Sequence, residues 1–236
     1  MTEALFREDA YRRESPSRIV SADPRGVALD RTVFYPRGGG QPGDRGALAT
    51  EGGASVAIVD TVYGPDRQTI LHVPAEGAVL PASGANVVAR IDWGTRLKRM
   101  RAHTALHLLS VALPYPVTGG AVGEGEGRLD FDCEAPLDRH EVEEKLNALI
   151  ALDAPVGERW ISDEELDANP ALIKTMSVKP PMGTGKVRLV AIEGLDLQPC
   201  GGTHVARTGE IRRATVAQIE KKGRINRRVR IVLCDP

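Results

Sequence analysis

The sequence predicts an α+β protein in two parts: a β-rich stretch over residues 1–92, then an antiparallel sheet with helices over residues 93–236. Three observations carry that expectation. Short apolar runs alternate with Gly, Pro and Asp clusters as far as Asp92, and a long helical pattern begins soon after it. Farther on, helix-start signals at Asp138 and Ser162 lie among strand-like runs. A chain of 236 residues is long enough to bury a core and hold one domain or two small ones.

Ser55–Val59, Thr69–Val73 and Asn86–Ile91 are the clearest strands of the first part, and their regular spacing favours a small barrel or a sandwich. Ahead of them lies Phe34–Asp44, which contains Gly38, Gly39, Gly40, Gln41, Gly43 and Asp44. Three consecutive glycines can take positive φ and let another chain approach closely. No Gly-Lys-Ser/Thr follows, so a phosphate-cradling P-loop does not fit. A barrel turn and a loop packing against a partner domain or RNA both stay open.

Arg96–Leu113 reads as a helix, ended by Pro114 and Pro116. Beyond a glycine-rich stretch, Arg128–Asp132 reads as a strand. The next helix starts at Asp138, with Asp138 and Glu141 in capping positions and Val142, Leu146 and Leu149 on one face. Ser162 with Glu165 marks a short helix start. The Pro- and Gly-rich run Met176–Gly185 is expected to loop around the site. Lys186–Ile192 is a strand leading straight into a cysteine loop, and Ile211–Leu233 alternates as two strands joined near Gly223.

The chemistry concentrates in two pairs of residues. His103 and His107 have the i, i+4 spacing that projects both rings from one helical face. Cys200 and His204 lie in Gln198–His204, where two glycines let a tight loop turn a thiolate and an imidazole toward one point. A lone helical histidine is ordinarily a surface or core residue; two matched pairs point instead to metal. Three neutral imidazoles and one thiolate make a tetrahedral zinc set. A zinc peptidase needs Glu after the first His of His-Glu-x-x-His, and Thr104 stands there, which argues against that class.

Bulk properties narrow the rest. A formal charge of −1 excludes a globally basic nucleic-acid coat protein. Three cysteines do not make a disulfide framework and suit a reducing compartment. The first ten residues hold no apolar targeting region, and no run approaches a membrane span. A cytoplasmic globular protein, with no membrane partner, is expected.

Asp92–Leu109 and Asp196–Ile211 resemble the editing domain of alanyl-tRNA synthetases, and the whole chain is similar to the free-standing alanyl-tRNA editing proteins of the AlaX group. Gly38–Asp44 resembles the glycine-rich motif that the medium-length form carries in an N-terminal barrel. The resemblance covers nearly the full length, and the combination of His-x-x-x-His with Cys-Gly-Gly-Thr-His is specific. It implies an N-terminal barrel, a C-terminal editing domain, and hydrolysis of mischarged tRNA(Ala), chiefly Ser-tRNA(Ala) and then Gly-tRNA(Ala). No ATP is needed, because the aminoacyl ester is already activated. The class II aminoacylation core has no room here, so aminoacylation is not expected.

The same resemblance assigns further residues. Serine differs from alanine by one hydroxyl, so a polar side chain near the metal is expected. Thr118 occupies the stretch where editing domains place one; a capped-turn threonine is its other role. Gln198 and Thr203 flank the cysteine and can touch substrate or orient the ligands. Lys221, Lys222, Arg224, Arg227 and Arg228 crowd a turn, either as a solvated hairpin or as a phosphate-binding hairpin near the acceptor end. Arg96, Lys98, Arg99 and Arg101 add positive charge beside the metal helix. One departure is local: the family commonly places glycine after Thr-Gly-Glu-Ile, and this chain has Arg212. Two other readings are editing of a threonyl-type misacylated tRNA, and a zinc-stabilised RNA-binding module without catalysis.

Overall fold

The computed structural model of the chain describes residues 1–50, 52–174 and 185–234. The chain divides into two compact units, Met1–Leu97 and Lys98–Pro236. Among the described residues no helix is long and apolar enough to cross a membrane.

The first unit holds β1 (Glu3–Ala4), β2 (Glu14–Asp23), β3 (Gly26–Leu29), β4 (Arg31–Thr32), β5 (Gly46–Thr50), β6 (Ser55–Tyr63), β7 (Ile70–Pro74) and β8 (Asn86–Ile91). Strands β1 and β4 form a short parallel pair. The other six close a barrel in the order β2-β3-β7-β6-β5-β8. Of the barrel and the sandwich, the barrel forms, and closure leaves these strands no open edge. Alternation puts Val87, Ala89 and Ile91 inward on β8, where they meet Ile19, Leu29, Phe34, Leu48 and Ile58.

The glycine-rich run is a tight turn of this unit. Gly38 and Gln41 exchange backbone hydrogen bonds of 3.1 and 2.9 Å, and Gly39 and Gly40 between them have φ of 55° and 80°. Two positive φ values in sequence are what a type I′ turn requires, which glycine meets without steric cost. Gly43 is glycine for a different reason: a Cβ there would lie 2.0 Å from the Thr61 carbonyl oxygen. Asp44 is buried; it accepts from the Tyr35 N–H at 2.6 Å and pairs with the fully buried Arg96 guanidinium, whose Nε lies 3.0 Å from Oδ2.

Helix α1 (Trp93–Ala112) starts earlier than Arg96 because Asp92 caps it, its carboxylate accepting the Thr95 N–H at 3.1 Å and the Thr95 hydroxyl at 2.8 Å. Every residue from Arg99 to Ser110 is buried, so the helix lacks the polar stripe of a surface helix.

The second unit continues with β9 (Val117–Val122), β10 (Glu126–Asp132), α2 (Arg139–Ala151), β11 (Val156–Ile161), α3 (Asp163–Asp167), β12 (Val187–Ile192), β13 (Asp196–Pro199), β14 (Arg213–Lys221) and β15 (Asn226–Cys234). One antiparallel sheet runs β14-β15-β10-β9 and a second runs β11-β12-β13. Helix α2 packs on β14: the Asn147 amide exchanges two hydrogen bonds with the Ala214 backbone, at 2.8 and 3.0 Å. Asp138 caps α2 and Ser162 with Glu165 forms a capping box at α3.

Three details differ from the sequence reading. The buried stripe of α2 is Val142, Leu146 and Ile150, with Leu149 only half-buried, because i, i+4, i+8 follows this packed face more closely than i, i+4, i+7. The glycine-rich stretch before Arg128 is itself a strand, β9, paired with β10. Strand β12 does not run straight into the cysteine loop; the chain turns at Gly194 and returns as β13, which carries Cys200 back beside Arg188. Residues 176–184 of the run expected to loop around the site lie outside the described residues.

Candidate metal centre

His103 and His107 project from α1 one turn apart, their ring centroids 5.3 Å from each other. Strand β13 and the loop after it bring Cys200 and His204 to the same place. The His204 ring lies 4.4 Å from that of His103 and 4.6 Å from that of His107. Cys200 Sγ is 3.3 Å from His204 Nε2 and 3.5 Å from His103 Nε2. One ligand atom from each of the four residues lies within 4.8 Å of the other three, so the group could hold a metal ion.

The surrounding hydrogen bonds fix which ring nitrogens face inward. His107 donates from Nδ1 to Asp196 Oδ2 at 3.0 Å, which turns Nε2 toward the other three residues. At His204 the logic runs through Thr104. The Thr104 hydroxyl gives its one proton to the Met100 carbonyl at 3.0 Å, so at 3.1 Å its oxygen accepts from His204 Nδ1. The Gly202 N–H donates to Cys200 Sγ at 3.4 Å. Arg188, 8% exposed, clamps the loop by donating to the carbonyls of Cys200 (2.8 Å) and Gly202 (2.9 Å), while its other arm pairs with Glu158.

Charge at the centre is arranged for a cation. Burial disfavours the Cys200 thiolate, but His103 and His204 beside it hold the thiol well below its usual range. Burial also opposes ionisation of Asp196, and the His107, Gln198 and Lys174 bonds bring it down to about 2. Burial and the neighbouring His103 push His204 down to about 3, a neutral ring at neutral pH. For His107 burial lowers the pKa, and the Asp196 and Cys200 partners outweigh it and raise it to about 9. A thiolate and three imidazoles thus face one point with a carboxylate behind His107, a donor set that fits zinc once the ion displaces the proton on His107 Nε2.

The other residues singled out in the sequence fall in several places. Gln198 is buried and donates to Asp196 Oδ2 at 2.7 Å, so it braces the carboxylate behind His107. Thr203 is buried in the cysteine loop. Thr118, on β9, donates to the Asp130 carbonyl at 3.1 Å and accepts from Asn226 at 2.9 Å. Among the arginines of α1, Arg96 is buried against Asp44. Arg99 is buried with its guanidinium on Glu124, and Arg101 is buried and donates to the Ile211 carbonyl. Of the four cations read as adding positive charge beside the metal helix, only Lys98 is exposed. At the β14–β15 turn, Lys221, Lys222 and Arg224 are exposed, and Lys222 and Arg224 pair with Glu220 and Glu134. Arg228 is bidentate on Asp130 at 2.7 and 2.9 Å. Arg227 is buried and donates to the carbonyls of Gly223, Arg224, Asn226 and Glu134, holding the turn together.

The sequence reading gives Asp196, Arg188 and Lys174 no role at the site and uses Thr104 only to argue against a peptidase. A signal for the first exists: Asp196, Gln198 and Cys200 alternate with period two, which puts all three on one face of a strand.

Residues 187–230 match the family described as "Threonyl and Alanyl tRNA synthetase second additional domain", and residues 4–95 match "tRNA synthetases class II (A)". The chain is 35% identical to an alanyl-tRNA editing protein AlaX-M of Methanosarcina acetivorans, over 100% of both chains. It is 32% identical to the AlaX-M of Saccharolobus solfataricus, over 97% of this chain and 98% of the relative. The chain belongs to the alanyl-tRNA editing protein family. An alanine–tRNA ligase of Korarchaeum cryptofilum is 36% identical over 89% of this chain and 24% of the ligase.

Arg212, the local departure noted in the sequence, has an unusual backbone: φ 69°, ψ −88°. That is close to the strained γ-turn geometry, which a side chain resists and glycine accepts.

Proposed function

We propose that this chain is a trans-acting deacylase. It hydrolyses the ester of tRNA(Ala) charged with the wrong amino acid, serine first and glycine second, and releases free tRNA and amino acid without ATP. The observation that carries this reading is the cluster of buried His103, His107 and His204 with half-buried Cys200, half of which falls in the segment matching the synthetase editing-type domain. Full-length similarity to proteins named as alanyl-tRNA editing proteins supports the substrate.

His103, His107, Cys200 and His204 would hold zinc. A bound zinc ion supplies a Lewis acid that polarises the ester carbonyl, or a point that orients the substrate's amino group or a water. The chain's own residues do the rest. Asp196 and Thr104 keep Nε2 of His107 and His204 directed inward, and Arg188 holds the cysteine loop. Gln198 acts behind His107, and Thr203 shapes the loop beside Cys200. Thr118 has one acceptor lone pair beyond those its bonds use, which suits a serine hydroxyl as donor. Lys221, Lys222, Arg224 and the outer edge of Arg228 meet acceptor-end phosphates, on a turn whose shape Arg227 maintains. Gly38–Asp44 contributes a rigid barrel turn. A thiolate ligand fits action in the reducing cytoplasm.

Deacylation of Ser-, Gly- and Ala-tRNA(Ala), with and without chelator, tests the reading. The seryl ester should be cleaved fastest and the alanyl ester spared. Chelation or Cys200→Ala should remove turnover. Full turnover in a zinc-free Cys200→Ala protein would sink the metal-dependent mechanism. A chelated protein that unfolds, having never shown turnover, would favour the non-catalytic zinc module.

A further inference from the structure

Cys200, Arg188 and Trp160 stand in one cross-strand row of the three-stranded sheet. The Cys200 N–H donates to the Arg188 carbonyl at 3.2 Å, and Arg188 on β12 is directly paired with Trp160 on β11. Side chains opposite one another on neighbouring strands share a face. That face also carries Val190 opposite Gln198 and Ile192 opposite Asp196, and through Asp196 it reaches His107. Trp160 therefore rises on the metal side of the sheet. Two strand spacings, ~10 Å in all, separate its backbone from that of Cys200.

Between them Arg188 is committed to the loop carbonyls and to Glu158. Trp160 is nonetheless 49% exposed, although an indole is among the side chains that gain most from burial. The chain's other tryptophan, Trp93, packs against the barrel core and stacks with Tyr11 and Arg13. An aromatic ring left open two strands from a metal ligand, in the same row, suits a flat partner that arrives with the substrate.

We propose that Trp160 is the stacking platform for the nucleobase at the 3′ end of the aminoacylated strand. The inference rests on the deacylase reading. There the reacting ester hangs on the terminal ribose, so the unpaired terminal base lies one sugar away from the metal cluster. Aromatic stacking suits such a base, because every base has a π-face and no paired partner covers it.

The experiment compares wild type, Trp160→Ala and Trp160→Phe on a seryl-charged tRNA(Ala) minihelix, and on the same minihelix with an abasic terminal nucleotide. Trp160→Ala should raise KM roughly 5- to 100-fold with little change in kcat, and Trp160→Phe should recover most of the loss. Removing the base should raise the wild-type KM by a similar factor, and combining both changes should cost no more than either alone. An unchanged KM in a Trp160→Ala protein that melts like wild type overturns the proposal. So does a wild-type dimer that Trp160→Ala dissolves, which would give the indole to self-association. A second measurement needs no turnover: in a Trp93→Phe background, uncharged minihelix should quench the remaining tryptophan fluorescence, and an absence of quenching counts against stacking. A wild type that quenches but never deacylates would remove the deacylase reading and leave the stacking assignment standing.

Discussion

The hydroxyl of Thr104 has one proton, and the Met100 carbonyl, which can only accept, takes it. Its oxygen then accepts from His204 Nδ1 and, at 3.3 Å, from the Val205 N–H. One small side chain thus sets the tautomer of a ligand and ties down the loop that carries it. The position is the one where a zinc peptidase keeps its glutamate base, so the same site on the helix serves orientation here. Thr104→Val keeps the shape and removes the bonds, stranding two buried donors. Zinc affinity, read by competition with a chromophoric chelator, should fall roughly 10- to 100-fold, and Thr104→Ser should restore most of it. Unchanged affinity in a folded Thr104→Val protein would show that His204 needs no such brace. The pairing of His103 with His107 was legible from spacing alone. The role of Thr104 was not, because it depends on a residue one hundred positions away.

Elements show the same division. The β14–β15 hairpin was legible as alternation around Gly223, yet the burial of Arg227 was not, since a cation at a turn gives no sign that four carbonyls will surround it. The glycine-rich turn was legible as a turn, while the task of Asp44 was hidden. Its carboxylate closes on Arg96, which also donates to the carbonyls of Ala10 and Val33. Removing one partner from a buried pair strands the other charge, a loss of ~3–5 kcal/mol. Asp44→Ala should lower the unfolding free energy of the barrel by about that amount in denaturant titration. Arg96→Met with Asp44→Leu together should cost less than Asp44→Ala alone, because no charge is then left unpaired. If Asp44→Ala instead leaves stability intact and impairs only tRNA handling, the motif is a contact surface rather than a fastening.

Across the whole molecule, local periods locate seven of the fifteen described strands and both longer helices, while barrel closure and the meeting of α1 with β13 depend on contacts between residues far apart in sequence, such as Glu14 with Arg90 and His107 with Asp196. His72 belongs to that second kind. It sits fully buried in the barrel wall, donating from Nδ1 to the Val27 carbonyl at 2.8 Å and accepting at Nε2 from the Thr32 hydroxyl at 2.7 Å. Phe34 packs edge-on against the ring with centroids 4.9 Å apart. Burial with no anionic partner penalises the charged imidazolium, and the bond to Val27 offsets only part of that, so the pKa falls to about 4. An unfolded chain takes up the proton from about pH 6.5 downward, whereas the folded barrel resists until about 4. The unfolded state therefore binds more protons throughout that window, and stability must decline as pH falls through it. The full contribution is present above pH 6.5, and about 3 kcal/mol of it is gone by pH 4. Hydrogen exchange at barrel amides such as Ala28 and Thr61 should trace that decline. His72→Gln should be less stable at neutral pH but should show a shallower slope between pH 6.5 and 4. Equal slopes in the two proteins would mean that His72 is already charged in the folded barrel, and that the two bonds holding its neutral form are not the ones that matter.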